Sequence, residues 1–311
     1  MISKYYSILF LICTITVSDK NPILFEDYRL YGDVKSMTTI SYKLNPEVYN
    51  DEDCLCGPEE VNLKPTERTE KERDSIVFKY NGNYIEKIEN YNNGWLSYET
   101  LFKYSGSLLI EKTNITFSGT EDFPNEIYRT EYEYNPKNIL TTTLNYFQDS
   151  LNSKVLFKNN LIQEKFIFDN QSSISEKLNY KYNNLNQLIE KSAYDKTGKL
   201  LYSIKNNYIN SRDYSNEWYT SKNELDTKTT IEYDEEGNYT EKIFYVENGE
   251  LLLDHSTKYN KNDDIIMSIF SSVNPTEYTY KYDKNGNWIE RIEYLNNSPI
   301  EETVRIIEYK K

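Results

Sequence analysis

Short runs of alternating apolar and polar residues, each closed by a turn rich in Asn, Asp or Gly, recur from about residue 76 onward. The stretch Thr279–Ile292, TYKYDKNGNWIERI, shows the unit most fully: an aromatic strand, a turn at Asn285-Gly286-Asn287, and a second strand. Related copies read FKYNGNYIEKI from Phe78, FKYSGSLLIEKT from Phe102, YEYNPKNILTTT from Tyr132, LFKNNLIQEKF from Leu156 and YKYNNLNQLIEKS from Tyr180. IEYDEEGNYTEKI from Ile231 and TKYNKNDDIIMSI from Thr257 follow, with a degraded copy, NNYINSRDYSNEW, from Asn206. The anchor aromatics Tyr80, Tyr104, Tyr134, Phe157, Tyr182, Tyr208, Tyr233, Tyr259 and Tyr282 are 23 to 30 residues apart. A period in the twenties held over nine copies marks a repeat architecture. Asn285-Gly286, Gly237-Asn238 and Gly82-Asn83 supply residues that tolerate positive φ, as tight hairpin turns require. Asn92-Asn93-Gly94 and Glu247-Asn248-Gly249 return the chain to the next copy. Runs rich in Tyr, Ile and Thr with period two argue against helix. The expected fold is all-β: a repetitive antiparallel meander of about nine hairpins, elongated and with room to curl.

The alternation assigns side chains to faces. Tyr278, Tyr280 and Tyr282 share one face of their strand. On the next strand, parity groups Trp288, Glu290, Ile292 and Tyr294, and likewise Tyr239, Glu241, Ile243 and Tyr245, or Leu188, Glu190, Ser192 and Tyr194. A glutamate is thus expected among the aromatics, with Lys87, Lys191, Lys242 and Arg291 opposite. Two readings compete. Either the sheet is wet on both sides, or Glu86, Glu190, Glu241 and Glu290 each accept a tyrosine hydroxyl in a half-buried ladder, since a buried carboxylate needs partners.

Composition sharpens this picture. There are 31 Tyr against 12 Phe and 3 Trp in 311 residues, so the aromatic surface is mostly amphipathic. Such rings pack on one side and keep a hydroxyl for water or a partner. The net charge of −14 has no clustered basic patch within it, which argues against nucleic acid as a partner. One histidine, His255, leaves neither a structural zinc site nor a Ser-His-acid triad well supplied, and it reads as an ordinary sheet residue. The glutamates recur once per copy, as scaffold positions do. No catalytic residues, cofactor or metal are expected, and the protein is not expected to be an enzyme.

Residues 1–18, MISKYYSILFLICTITVS, have the layout of a secretory signal peptide, with Thr16-Val17-Ser18 before Asp19. The apolar run is too short for a membrane helix, so no membrane span is expected. Cys13 could carry a lipid anchor, but Ile12 stands where a small residue would be required. The expected location is exported: periplasm, outer membrane surface or extracellular. Residues 19–74 read as N-terminal strands, with Leu30, Val34, Met37 and Ile40 as apolar anchors, and then an acidic loop with Pro and Cys. Cys54 and Cys56 in that loop read as idle thiols, as a disulfide, or as a poor metal site, since flanking Asp51, Glu52 and Asp53 do not complete a ligand set. The repeat domain is residues 75–311. Asn210–Ser221 disturbs the sixth copy, and insertions often carry the specific function of a repeat body. Candidate binding residues are therefore Tyr214, Trp218 and Tyr219 there, with Tyr278, Tyr280, Tyr282 and Trp288 on the aromatic face.

The pattern at Tyr280, Tyr282, Asp283, Gly286, Asn287, Trp288 and Arg291 resembles the YD/RHS-type repeats of bacterial envelope and secreted proteins, in a short, Bacteroidetes-like form. Tyr233, Asp234, Gly237, Asn238 and Tyr239 match in part; elsewhere Asn replaces Asp. The resemblance implies β-strand repeats that coil into a spiral or shell. The chain departs from the large members in its length and in lacking an autocleavage region and a toxin domain. The function expected is that of a non-enzymatic exported repeat protein, structural or binding a protein or glycan through an aromatic sheet face. The alternative is an immunity-like or inhibitory protein whose acidity masks a basic partner.

Overall fold

The computed structural model describes residues 30–44, 68–118, 124–210, 212–270 and 274–310. The signal-like segment, Cys13 and the Cys54/Cys56 loop lie outside the described residues. Among the described residues there are twenty strands, the first half being β1 Val34–Leu44, β2 Arg68–Asn81, β3 Tyr84–Asn92, β4 Trp95–Ser105, β5 Leu108–Thr116, β6 Glu126–Tyr134, β7 Leu140–Phe147, β8 Ser150–Lys158, β9 Leu161–Phe168 and β10 Ile174–Tyr182. The second half comprises β11 Leu188–Asp195, β12 Leu200–Tyr208, β13 Tyr214–Thr220, β14 Leu225–Tyr233, β15 Tyr239–Glu247, β16 Glu250–Tyr259, β17 Ile265–Phe270, β18 Thr276–Tyr282, β19 Trp288–Leu295 and β20 Ser298–Tyr309.

Each strand pairs antiparallel with its sequence neighbours, and β1 lies between β2 and β20. Met37 faces Ile76 on one side and Ile307 on the other. The sheet is therefore closed, a 20-stranded up-and-down barrel. This corrects two expectations, the open elongated meander and the spiral implied by the YD/RHS-type resemblance. The hairpin period encodes local pairing, whereas closure depends on β1, which precedes the regular copies, bridging the two ends. A closed ring leaves no unpaired edge.

Closure also corrects the exclusion of a membrane span. Among the described residues no helix is long and apolar enough to cross a membrane, but this has no bearing on strands. A closed barrel satisfies its backbone internally and is one of the two architectures that cross bilayers.

The Tyr-Asx anchor has a mechanical explanation. Asp283 Oδ1 accepts the backbone N–H groups of Asn285 at 2.9 Å and Asn287 at 3.0 Å, holding a five-residue turn. Asn135, Asn183, Asp234 and Asn260 do the same for their own turns. The fourth residue of each turn has positive φ, from 59° at Asn138 to 89° at Gly286, which is why Asn, Asp or Gly stands there. Four of the return links, Asn93-Gly94, Gln148-Asp149, Asn248-Gly249 and Asn296-Asn297, are two-residue turns with both residues left-handed, φ being 46° and 85° at the first.

Most hairpins carry a one-residue bulge near the start of the second strand. Tyr282 faces Trp288 while Lys281 faces Glu290, so Ile289 is left over. Likewise Tyr182 faces Leu188 and Lys181 faces Glu190, leaving Ile189. Between β2 and β3 the leftover residue is Glu86 itself. A bulge moves every later residue to the opposite face. Glu190 and Glu290 consequently join Lys181 and Lys281, while Lys191 and Arg291 join the tyrosines. This reverses the face assignment expected from parity at both hairpins.

The result is two chemically distinct faces. One carries Tyr80, Tyr104, Tyr134, Tyr182, Tyr208, Tyr233 and most of the buried apolar residues. Leu30, Val34, Met37, Phe78, Ile85, Ile88, Phe102 and Leu109 form its packed core over β1–β5. The other carries ion-pair rungs: Lys79–Glu89, Lys87–Glu99, Lys103–Glu111, Lys181–Glu190, Lys228–Glu217 and Lys281–Glu290. Side chains converge on the concave side of a closed sheet. The face where they cover one another, the tyrosine face, is the inward one.

Candidate functional site

The inward face brings together most of the aromatic residues singled out from sequence, in two groups. Tyr278, Tyr280 and Tyr282 follow one another along one face of β18, and Trp288 of β19, paired with Tyr282, stands on the same side. Tyr280 meets Tyr282 at 6.1 Å and Trp288 edge-on at 6.0 Å. Tyr214 and Trp218 lie on this face of β13, where Trp218 stacks on Tyr202 at 4.7 Å. Tyr219 does not join them: it faces Ser203 among the ionic rungs and donates to Glu217 at 2.8 Å. Five strand steps separate β13 from β18, so these groups form separate stations along one wall.

Several inward tyrosine hydroxyls serve the bulges, those of the anchors Tyr134 and Tyr208 and that of Tyr280 among them. Tyr134 donates to the carbonyl of Leu109 at 2.8 Å, Tyr208 to that of Leu188 at 3.0 Å and Tyr280 to that of Ile265 at 2.8 Å. Each acceptor immediately precedes a bulged residue of the preceding hairpin, Ile110, Ile189 or Ile266. A bulge interrupts the ladder, and a buried carbonyl left there needs a donor. The Tyr–Glu ladder expected as one alternative therefore does not run through the four named glutamates. Glu190 takes Lys181 and Ser192, and Glu290 takes Lys281. Only Glu241 of that set receives a tyrosine hydroxyl, from Tyr259 at 3.4 Å.

Two charged groups missed as site candidates stand out on the inward face. Arg305 lies over Trp288, its guanidinium carbon 3.4 Å from the ring centroid, and burial lowers its pKa to about 10. Glu241 is 7% exposed, and burial raises its carboxyl above the usual carboxylate range. The sequence signal for Glu241 was present but identical to that of Glu190 and Glu290. What separates them is that the β14–β15 hairpin has no bulge: Tyr233 faces Tyr239, Glu232 faces Thr240 and Ile231 faces Glu241 in unbroken register.

Burial also raises the tyrosine hydroxyls of this wall, Tyr104, Tyr180 and Tyr214 each to about 12, so they are neutral donors at any physiological pH. His255 lies on β16 beside Phe270, its Nδ1 3.1 Å from Asp254. Among the described residues no group of three or more His, Cys, Asp or Glu is placed to hold a metal ion.

No protein-family model and no curated protein matches the chain. Among solved structures, a porin-like protein from Bacteroides uniformis is similar at 10% identity and a TM-score of 0.40, over 90% of this chain and 99% of that one. A porin-like protein from Bacteroides vulgatus is similar at 9% identity and a TM-score of 0.24, over 89% and 98%. The TcdB2-TccC3-TEV structure is similar at 10% identity and a TM-score of 0.30, over 76% of this chain and 14% of that one. Likenesses this distant carry no argument about activity.

Proposed function

We propose that this chain is an exported, non-enzymatic β-barrel of the cell envelope, placed in or at the outer membrane, that binds a ligand along its tyrosine-lined inner wall. The observation that carries the reading is the separation of chemistry by face. Ion pairs collect on one side of a closed ring, and rings with hydroxyl tips collect on the other. Aromatic walls of this kind take up ring-bearing or extended ligands by stacking, with hydroxyls and Asn side chains supplying direction. Tyr278, Tyr280, Tyr282 and Trp288 form one station and Tyr214 and Trp218 another. Tyr219, on the outer side, falls outside this proposal. The signal-like residues 1–18 support export.

Two measurements test it. Fractionation of cells producing the native chain should place it in the envelope, and a cytoplasmic pool would overturn the location. Carbonate washing then separates the two placements, because a barrel held by lipid stays in the membrane pellet and a peripheral one is released. For binding, the purified chain is screened against envelope glycans and peptides by tyrosine and tryptophan fluorescence. A hit should weaken about tenfold or more in Trp288→Ala or Trp218→Ala. Hits indifferent to both substitutions would remove the inner wall from the function.

A further inference from the structure

Glu241 stands on the inner face at a hairpin position where other copies turn their glutamate outward. Hairpin after hairpin, a bulge carries the corresponding glutamate to the outer face, where a lysine meets it. In β14–β15 that bulge is missing, and a carboxylate is left on the inner wall. Following the register outward, Glu241 faces Ile231 and Thr257, and beyond them come Tyr214 and Ser268. The neighbouring row holds Tyr233, Tyr239 and Tyr259, with ring centroids 5.0 Å and 4.6 Å apart.

In the turn before β13 the Arg212 guanidinium carbon lies 6.0 Å from the centroid of the Tyr233 ring, so Tyr233 already faces a cation of the chain itself. On the inward positions of β12–β18 there is no lysine or arginine; Lys205, Lys228, Lys242, Lys258 and Lys281 all fall on the outer face by register. His255, on the same face as Glu241, is the one imidazole within electrostatic reach. A carboxylate that is more than nine-tenths buried and supported by one tyrosine hydroxyl at 3.4 Å is expensive for the fold to maintain. A row of tyrosine faces beside an uncompensated carboxylate has a definite chemical complement. Ring faces attract a weakly hydrated cation, and the carboxylate supplies the counter-charge.

We propose that Glu241, with Tyr214, Tyr239 and Tyr259, forms a site for an organic ammonium group, the cation resting on the rings with Glu241 as its counter-ion. The site deepens the binding role proposed above and rests on it. The tyrosine face supplies the attraction common to all cations of low hydration. Glu241 supplies the preference for positive charge over a neutral group of the same shape.

The test titrates choline into the purified full chain by calorimetry, alongside 3,3-dimethylbutan-1-ol, its uncharged isostere. Choline is expected to bind at least about tenfold more tightly than the isostere, and Glu241→Gln to abolish that preference. Circular dichroism and the melting temperature establish that the variant is folded. Should Glu241→Gln fail to fold, Tyr214→Leu serves in its place, with a several-fold weaker affinity expected. Undiminished choline affinity in the folded variant used would overturn the site. No choline binding, with other ligands still retained through Trp288 or Trp218, would overturn this inference and leave the broader function standing. No ligand of any kind on the inner wall would defeat both.

Discussion

Replacing Asn287 tests whether the barrel is latched at its rim. Asn287 is 1% exposed and sits in the turn between β18 and β19. Its Oδ1 accepts the backbone N–H of Tyr31 at 2.6 Å, and its Nδ2 donates to the Tyr31 carbonyl at 2.8 Å and to the Tyr309 hydroxyl at 2.8 Å. One amide thus ties the segment entering β1 to the turn before β19 and to the end of β20. Asn287→Ala deletes all three bonds and strands two backbone groups. At about 1 kcal/mol net for each bond, more where a buried group is orphaned, the loss is roughly 3 kcal/mol. For a chain of this size that lowers the melting temperature by roughly 5 °C. Asn287→Asp keeps the shape but turns an acceptor toward the Tyr31 carbonyl, beside Asp283. It should therefore do no better than alanine. Near-ultraviolet circular dichroism follows the melt, and hydrogen exchange at the Tyr31 amide reports the latch itself. A shift below about 1 °C, well under the working value, together with a still-protected Tyr31 amide would refute the latch.

Four further outcomes follow from the same contacts. Tyr134→Phe leaves the bulge carbonyl of Leu109 without its 2.8 Å donor and should cost about 1–2 kcal/mol in urea unfolding; no measurable loss would mean that water replaces the hydroxyl. Glu241 has a raised pKa in the fold, so its contribution is fully present below the unfolded carboxyl value of about 4.3 and is lost as pH rises through the folded value. Glu241→Gln should accordingly stabilise the barrel at pH 7–8 and remove the loss of stability that the carboxyl causes as pH rises above about 4.3; an unchanged pH profile would show that the carboxylate is solvated. Gly286→Ala meets no atom closer than 3.8 Å but forces a side chain to φ +89°, so it should cost about 1–2 kcal/mol through strain alone, read by thermal melting. Removing residues 30–44 opens the ring and exposes the edges of β2 and β20, and size-exclusion chromatography should show association; a monodisperse monomer would argue that closure is dispensable.

Much of the local architecture was legible in the sequence. Tyr-Asx pairs marked the anchors, and Asn or Gly marked the residues with positive φ, because both signals act within a few residues of backbone. Leu30, Val34, Met37 and Ile40 were visible as apolar anchors, and all four are buried. Closure was not legible. It rests on β1 pairing with strands whose partners lie up to some 270 residues away, and no local pattern encodes an edge-to-edge meeting over that distance. Arg305 was missed for a related reason: its environment is made by Trp288 on the neighbouring strand and by Thr39 of β1.

The faces show why parity is an unsafe guide in a bulged sheet. Trp288-Ile289-Glu290 and Tyr239-Thr240-Glu241 have the same alternation, yet Glu290 points outward to Lys281 and Glu241 inward to the tyrosines. A single unpaired residue decides between an ion pair of modest worth at the surface and a buried carboxylate with a raised pKa. Because bulged hairpins predominate, the outward position is the one the repeat favours, and most glutamates acquire lysine partners without further specification. The inward position arises where the register runs unbroken. In a repeated fold, the copy whose register departs from the others is therefore the place to look for chemistry that the others lack. Exchanging the two residues, Thr240→Glu with Glu241→Thr, should carry the carboxylate to the outer face, opposite Lys258. If the organic-cation preference then persists, the carboxylate's position on the inner wall is not its source.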